Sequence, residues 1–130
     1  MSMNDLVIDA SAWIEYLDGT PLGMKIKDYL LESKGFTSSV TLAEVISRVK
    51  RSKRNVQIAS AAISSNSDII NLNDESAFRA GLLHAEAKIK NKKFSLSDAI
   101  VLQTALDLNA KVLTCDFDFI DYKNVILIKK

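Results

Sequence analysis

The sequence predicts a three-layer α/β/α sandwich built on a mostly parallel five-stranded sheet. Five short apolar runs recur along the chain, and segments with helical spacing of apolar residues separate them. The first and last runs, Leu6–Ile8 and Val125–Ile128, are continuously apolar, which is typical of strands covered on both faces. The chain has 130 residues, of which 48% are hydrophobic and 25% charged, so we expect a single domain over residues 1–130 with a core of its own.

The first half of the chain contains two predicted helices with clear signals. Thr20 followed by Pro21 is an N-cap with proline at the first helical position, and it predicts a helix to about Ser33. An apolar stripe at i, i+3, i+4 and i+7 predicts a second helix; its residues are Leu42, Val45, Ile46 and Val49. The five predicted strands are Leu6–Ile8, Phe36–Val40, Ile69–Leu72, Val112–Leu113 and Val125–Ile128.

Three further helices are predicted between the later strands. One covers residues 54–64, and the last runs from about Ser97 to Leu108. Between them, Asn73-Asp74-Glu75 starts a helix with apolar residues on one side; these are Phe78, Leu82, Ala85 and Ile89. Only about ten residues separate the last two strands, which is short for a helical crossover and leaves open a different pairing of the last strand.

Composition excludes several classes of protein. Cys115 is the only cysteine, so a disulfide framework and a cysteine-rich zinc site are excluded. Residues 1–9 carry two acids and no basic residue, unlike a secretory signal peptide. No apolar run approaches the roughly 18 residues of a membrane span. We therefore expect a soluble, cytoplasmic protein with no membrane partner.

Carboxylates follow two of the predicted strands. Asp9 ends the first strand, and Asp116 and Asp118 come directly after the fourth. Ligands of open α/β sheets bind beyond the carboxyl ends of the strands, so these acids lie toward the expected site. Asp is also common in such loops as a helix cap, and position alone leaves both interpretations open.

Asp98 is the stronger observation. It shares a face of the last helix with Val101, Leu102 and Ala105, and a buried carboxylate is costly unless it is paired or binds a cation. Glu44 is the opposite case, because it lies away from its apolar stripe with Arg48 four residues on. A surface ion pair is the simpler interpretation for Glu44 taken alone.

Several carboxylates at one sheet edge would repel one another unless a cation joined them. Mg²⁺ and Mn²⁺ prefer oxygen ligands. Such ions activate water and stabilise displacement at phosphorus. The acidic residues therefore predict metal-assisted hydrolysis of a phosphodiester or phosphate.

Four segments resemble the motifs of PIN-domain nucleases. They are residues 7–13 (VIDASAW), 41–45 (TLAEV), 95–99 (SLSDA) and 113–119 (LTCDFDF). Any one of them is a weak signal, but the four occur in order and the resemblance spans residues 5–128. The size and motif set are most similar to the VapC toxins of toxin–antitoxin pairs.

The resemblance implies a Mg²⁺- or Mn²⁺-dependent endoribonuclease that cleaves single-stranded RNA. It implies a catalytic quartet of acids at Asp9, Glu44, Asp98 and Asp116. Within that quartet Asp9, Asp98 and Asp116 are expected to bind the metal. Supporting positions are Ser11, Thr114 and Asp118. A homodimer and an antitoxin partner that covers the pocket follow from the resemblance alone.

A dense basic run gives a candidate RNA-binding surface. It contains Lys50, Arg51, Lys53 and Arg54, which could neutralise phosphates of single-stranded or structured RNA. A solvated helix end explains the same residues equally well. His84 and Cys115 are expected to be structural, and Trp13 to lie in the core or at a dimer surface.

Two alternatives to a toxin remain at the level of sequence. The first is a housekeeping PIN nuclease of RNA processing, with the same chemistry. The second is a non-catalytic α/β regulatory module with an acidic pocket. A phospho-acceptor receiver would carry an acid pair after the first strand and an acid ending the third, and this chain has neither.

Overall fold

A computed structural model describes residues 5–130 and contains five strands, six helices and one 3₁₀ turn. The strands are β1 (Asp5–Ile8), β2 (Lys34–Ser38), β3 (Asp68–Ile70), β4 (Lys111–Thr114) and β5 (Val125–Leu127). The helices are α1 (Ala10–Asp18), α2 (Pro21–Glu32), α3 (Ser39–Arg51), α4 (Val56–Asn66), α5 (Asp74–Lys90) and α6 (Leu96–Leu108). The 3₁₀ turn covers Phe117–Phe119.

The sheet is parallel throughout, in the order β3-β2-β1-β4-β5. Register pairs Val7 with Phe36 on one side of β1 and with Val112 on the other. The alternative pairing left open for the last strand is wrong, because β5 lies parallel to β4 with Leu113 opposite Ile126. The 3₁₀ turn spans this short connection where a full helix would not fit.

Two core clusters on opposite faces of the sheet make the predicted three layers. Side chains alternate along β1, so Leu6 and Ile8 join one cluster and Val7 joins the other. The first cluster packs β1 against α1 to α4, with the buried Trp13 at its centre. The second packs the sheet against α5 and α6, around Phe94 and Phe119.

Local capping chemistry sets the helix starts. The Thr20 hydroxyl accepts a hydrogen bond from Gly23 N at 3.0 Å, with Pro21 at the first position of α2, as the sequence predicts. The second strand has the predicted length of five residues but begins and ends two residues earlier than predicted, at Lys34–Ser38. Ser38 ends β2 and caps α3 by accepting from Val40 N, so Val40 lies in the helix.

Helix α5 exposes most of its large apolar residues. Its small residues Ala80 and Ala87 are buried, and the helix packs on α6. The opposite side is open to solvent: Phe78 is 69%, Leu82 56% and Ile89 82% exposed. We call Phe78, Leu82, Ala85 and Ile89 the α5 stripe. Among residues 5–130, no helix is long and apolar enough to cross a membrane.

Candidate active site

The strand order creates a crevice between β1 and β4. The chain runs from β1 outward to β2 and β3, then crosses to the other side of β1 for β4 and β5. Ligands of doubly wound sheets bind at such a switch point, beyond the carboxyl ends of the strands. Asp9 follows β1 there, and Asp116 follows β4.

Asp9 is buried and almost fully hydrogen-bonded. It is 5% exposed, and its Oδ1 accepts hydrogen bonds from the Ser11 hydroxyl (2.8 Å) and from Ala12 N (2.9 Å). Its Oδ2 accepts a third from the Thr114 hydroxyl at 2.6 Å. Burial raises the pKa of Asp9, the three hydrogen bonds lower it and the charge of Asp116 raises it, and together these effects bring the pKa to about 6.

The hydroxyls of Ser11 and Thr114 join the ends of β1 and β4. The Ser11 hydroxyl accepts from Cys115 N at 3.0 Å, and the Thr114 hydroxyl accepts from Asp116 N at 2.9 Å. The two oxygens lie 3.2 Å apart. Both hydroxyls thus hydrogen-bond the Asp9 carboxylate, and their supporting role in catalysis stays a prediction.

Three carboxylates meet beside Asp9, and we call Asp98, Asp116 and Asp118 the acidic cluster. One oxygen of each lies within 4.8 Å of the others. Asp118 N donates to Asp116 Oδ1 at 2.8 Å, and the Asn91 amide donates to Asp118 Oδ1 at 3.1 Å. These donors fix the carboxylates without neutralising their charge.

Asp98 is held by a capping box at the start of α6. Its Oδ2 accepts from Ser95 N at 2.9 Å, while Asp98 N donates to the Ser95 hydroxyl at 3.0 Å. Burial raises the pKa of Asp98, the Ser95 hydrogen bonds lower it, and the charges of Asp116 and Asp118 raise it further. Asp98 forms no ion pair with a basic residue among residues 5–130.

Glu44 lies on α3 at the rim of the pocket. Partial loss of hydration raises its pKa, the neighbouring Ser97 hydroxyl lowers it, and the charge of Asp98 raises it again. The surface ion pair with Arg48 is absent from the ion pairs of residues 5–130. The simple interpretation of Glu44 from its sequence position is therefore wrong, and Glu44 is electrostatically part of the acidic pocket.

The donor set of the pocket fits a hard divalent cation. Asp9, Glu44 and the acidic cluster form no ion pair with Lys or Arg within residues 5–130, where the paired carboxylates are Asp18, Asp68, Glu75 and Asp107. Carboxylate oxygens at this spacing are the ligands that Mg²⁺ and Mn²⁺ prefer. The geometric group contains Asp118, whereas the sequence assigns metal binding to Asp9, Asp98 and Asp116.

The four basic residues predicted to bind RNA have different surroundings in the structure. Arg51 lies along one cavity with Glu44, whereas Arg54 forms an ion pair with Asp18 and bonds the Leu17 carbonyl. Lys50 and Lys53 are exposed at the end of α3. Their roles in RNA binding, like those of the acids in catalysis, stay predictions.

Three residues near the pocket escape sequence reasoning. Asn91 reaches Asp118 only because α5 ends there, and no local pattern indicates it. The role of Arg48 in lining the cavity is missed because it lies four residues after Glu44, and that spacing suggests an ion pair. The Ser97 hydroxyl beside Glu44 lies inside a recognisable motif, but only the fold brings it to α3.

Cys115 and Trp13 have structural surroundings. Burial, followed by the charges of Asp9 and Glu15, raises the pKa of the Cys115 thiol to about 11, so it stays protonated at neutral pH. The Trp13 indole is buried and donates to the Thr37 hydroxyl at 3.1 Å. Neither side chain is available to act as a nucleophile or as a base-stacking surface.

Comparisons with known proteins agree with this arrangement. The sequence model of the PIN domain family matches residues 6–125. Similar solved chains include one from a toxin–antitoxin complex of Klebsiella pneumoniae, with 26% identity, a TM-score of 0.76, and 93% of this chain and 95% of that chain covered. A search of curated proteins found no match.

Two further solved structures share the fold at lower identity. VapC20 of Mycobacterium tuberculosis, described as a toxin that cleaves the sarcin–ricin loop, is 18% identical with a TM-score of 0.76, covering 95% of this chain and 99% of that chain. DNA-bound VapBC of Salmonella typhimurium gives 20% identity and a TM-score of 0.75, with 96% and 97% covered.

Proposed function

This chain belongs to the PIN-domain family, and from that premise we propose that it is a divalent-metal-dependent endoribonuclease of single-stranded RNA, the toxin of a toxin–antitoxin pair. The observation that carries the proposal is the acidic cluster, whose carboxylate oxygens lie within 4.8 Å of one another at the switch point of the sheet. Toxin–antitoxin complexes among the similar solved structures support the biological role.

The residues of the pocket divide the chemical work. Asp98, Asp116 and Asp118 would hold Mg²⁺ or Mn²⁺ together with Asp9. Such an ion, when bound, makes water more acidic and offsets negative charge developing on the phosphate. Ser11 and Thr114 keep the Asp9 carboxylate in one orientation through hydrogen bonds to both of its oxygens.

In this proposal Glu44 would accept a proton. Its raised pKa brings the carboxylate closer to the working pH, which favours a general base. In this step the water oxygen would bond to phosphorus while its proton passes to a Glu44 carboxylate oxygen. The bond from phosphorus to the leaving oxygen would break, and that oxygen would keep the bonding electrons and take up a proton from solvent. The Ser97 hydroxyl beside Glu44 would orient that carboxylate.

The proposed partners are an antitoxin and a second copy of this chain. The α5 stripe is an unpartnered apolar face, and the ends of α5 have opposite charge: Asp74 and Glu75 begin the helix, and Lys88 and Lys90 end it. Antiparallel packing of α5 on its copy would set Phe78 against Ile89 and the acidic end of one helix against the basic end of the other. This two-fold arrangement is self-complementary in both shape and charge.

Light scattering on purified protein tests the second copy. The parent chain should be a dimer, Leu82→Glu should be a monomer, and Ile58→Glu, which alters an exposed apolar residue of α4, should remain a dimer. A monomeric parent removes the homodimer from the proposal.

A cytoplasmic site of action completes the proposal, because RNA is the substrate and Cys115 is an unpaired thiol.

The enzymatic proposal is tested by cleavage of a mixed pool of single-stranded RNA with Mg²⁺ or Mn²⁺. We expect cutting that EDTA and Asp98→Asn both abolish, and that a single-stranded DNA pool of matched sequence does not show. Asp121→Asn, which makes the same change at an exposed position outside the pocket, is the matched control. Metal-independent cutting, or full activity of Asp98→Asn, would contradict the proposal.

A toxin selective for one RNA could leave the pool intact. Titration of Mn²⁺ into the parent protein and into Asp98→Asn by calorimetry covers that case. Binding by the parent that Asp98→Asn loses supports the nuclease, and no binding by the parent supports the non-catalytic module.

A further inference from the structure

The four arginines of the chain fall into two pairs. Arg54 is neutralised by Asp18, and Arg79 by Glu75 and Asp107. Within residues 5–130, Arg48 and Arg51 form no ion pair. The Arg51 Nε donates to the Ser47 hydroxyl at 3.4 Å, which leaves its charge uncompensated. Two unneutralised guanidinium groups on one helix are suited to an anion.

Arg48 and Arg51 line the same cavity between α1 and α3, which we call the arginine cavity. Its volume is about 450 Å³. Its apolar lining residues are Ala10, Ile14, Ala43 and Val45, and its polar lining residues are Glu44, Ser47, Arg48 and Arg51. The cavity therefore combines an apolar floor with positive charge.

The arginine cavity adjoins the acidic pocket through two residues. Ala10 follows Asp9 directly, and Glu44 lines the cavity while its carboxylate feels the charge of Asp98. Glu44, Arg48 and Arg51 are spaced i, i+4 and i+7, so they share one face of α3. At a rise of 1.5 Å per residue, the two arginines lie about 6 and 10 Å beyond Glu44 along the helix axis.

An acidic pocket alone would repel the substrate it is proposed to cut. The carboxylates carry the same sign of charge as RNA, so a cation between them neutralises only the phosphate at the reaction centre. Neighbouring phosphates need their own positive partners. Arginine fits this need because its planar guanidinium bonds two phosphate oxygens at once.

We infer that Arg48 and Arg51 bind phosphates of the RNA strand on one side of the cleaved bond, with the nucleotide between them and the reaction centre seated on Ala10 and Ile14. This inference rests on the proposed function, because it assigns the path of its substrate. The strand leaves the acidic cluster past Glu44 and follows α3. Arg54 takes no part, since Asp18 and the Leu17 carbonyl already bind its guanidinium.

The test measures how salt weakens binding of a fluorescein-labelled, mixed-sequence single-stranded RNA. All proteins carry Asp98→Asn and are kept in EDTA, so the strand stays intact and the pocket is one charge less acidic. Each phosphate contact contributes about 0.7 to the slope of log affinity against log salt concentration for single strands. Arg48→Ala and Arg51→Ala should each lower the slope by about that amount, and the double variant by about 1.4.

Two control variants separate specific contacts from loss of net charge. Lys27→Ala removes one charge from an exposed position on α2 outside the cavity lining, and it should change the slope by less than half as much. Arg48→Lys should keep the slope but weaken binding, because lysine keeps the charge and loses the bidentate geometry. The cleavage assay uses proteins that keep Asp98 and contain Mg²⁺ or Mn²⁺. There, Arg48→Ala and Arg51→Ala should raise KM and leave kcat close to that of the chain without substitutions.

The outcomes separate this inference from the proposed function. RNA binding with unchanged slopes in both arginine variants overturns the inference and leaves the nuclease standing. No RNA binding by the parent at about 50 mM salt overturns both. If the arginine variants instead lose affinity for a labelled polyglutamate peptide and keep it for RNA, the cavity binds an acidic segment of a protein and the inference is wrong.

Discussion

The acidic cluster and the arginine cavity lie on either side of Glu44 and are built in different ways. The acidic cluster consists of short side chains at the ends of secondary structure, fixed by backbone donors such as Ser95 N and Asp118 N. The arginine cavity consists of long side chains along the surface of α3, and Arg48 and Arg51 are exposed. One region is rigid and negative, and the other is adaptable and mainly positive.

The difference teaches how one pocket can serve two ligands of opposite charge. A small cation requires oxygen atoms at fixed spacing, which short carboxylates on rigid elements provide. A flexible polyanion requires charge that can follow it, and long guanidinium side chains provide that. Substitutions in the first region should therefore remove the reaction, whereas those in the second should weaken binding of the strand.

The largest effect is expected at the centre of the acidic cluster. Asp116→Asn keeps the oxygen that accepts from Asp118 N but removes a charge that the proposed cation would need. Cleavage should fall by about 10³-fold or more, since the ion supplies several kcal/mol of transition-state stabilisation, and Mn²⁺ binding should disappear with it. Gel-based cleavage rates and calorimetry, with Asp121→Asn as control, measure both; retained Mn²⁺ affinity would remove Asp116 from the ligand set.

Glu44→Gln should separate catalysis from metal binding. It removes a proton acceptor while keeping the shape of the side chain, so we expect a loss of about 10²-fold in kcat. Mn²⁺ affinity should stay near that of the parent, because Glu44 lies outside the group of three oxygens. If kcat and Mn²⁺ affinity fall together, Glu44 is a metal ligand and belongs with the acidic cluster.

Asp9 gives the metal-free protein an unusual dependence of stability on pH. With its pKa raised from 3.8 to about 6, the folded state keeps a proton that the unfolded state has lost between these values. Stability contributed by the protonated form is therefore full below pH 3.8 and is lost as pH rises through 6. The loss is about 3 kcal/mol, since each pKa unit corresponds to about 1.4 kcal/mol.

Urea unfolding in EDTA measures this contribution between about pH 4 and 7. Asp9→Asn is neutral throughout, so its stability should lack this part of the decline and exceed that of the parent above pH 6. Parallel curves for the two proteins would show that burial does not govern the pKa of Asp9. The exposed Glu44→Gln is the comparison variant and should change the curve much less.

A smaller effect on stability is expected at two glycines. A Cβ at Gly23 would clash with the backbone carbonyl of Glu15, so Gly23 allows the close approach of α2 to α1, which floors the arginine cavity. Gly23→Ala should cost about 1–3 kcal/mol. Gly81 has open space around its Cβ position, so Gly81→Ala should gain about 0.5–1 kcal/mol from helix propensity.

Thermal unfolding of both glycine variants measures the contrast. Equal effects at the two positions would mean that the approach of α1 and α2 is not tightly constrained. In that case the floor of the arginine cavity would be free to move.

Much of the fold is predictable from sequence because its signals are local. Thr20 and Asn73 cap α2 and α5 through hydrogen bonds that span three residues, to Gly23 N and Ser76 N. Which side of α5 is buried is harder to predict from sequence. Its large apolar residues suggest the buried side, yet the small Ala80 and Ala87 are the buried residues of α5, which packs closely on α6.

The candidate site is predictable only in part, for a similar reason. Asp98 stands out from sequence because it shares the apolar face of its own helix, where a carboxylate is costly to bury. Arg48 does not, because spacing alone cannot tell an ion pair with Glu44 from two side chains that share a cavity. Asn91 reaches Asp118 across 27 residues, and such a contact exists only once the chain has folded.

The strand order also determines when the pocket can exist during synthesis. Strand β1 lies between β2 and β4, so its early partner is made within the first 38 residues and its other edge waits for residues 111–114. Asp9 and Glu44 emerge early, but Asp98, Asp116 and Asp118 belong to the last third of the chain. Translation proceeds from the N-terminus, and early elements fold first. On the proposed function, a nascent chain on the ribosome is therefore inactive until residues 98–118 have emerged and folded against the strands made earlier.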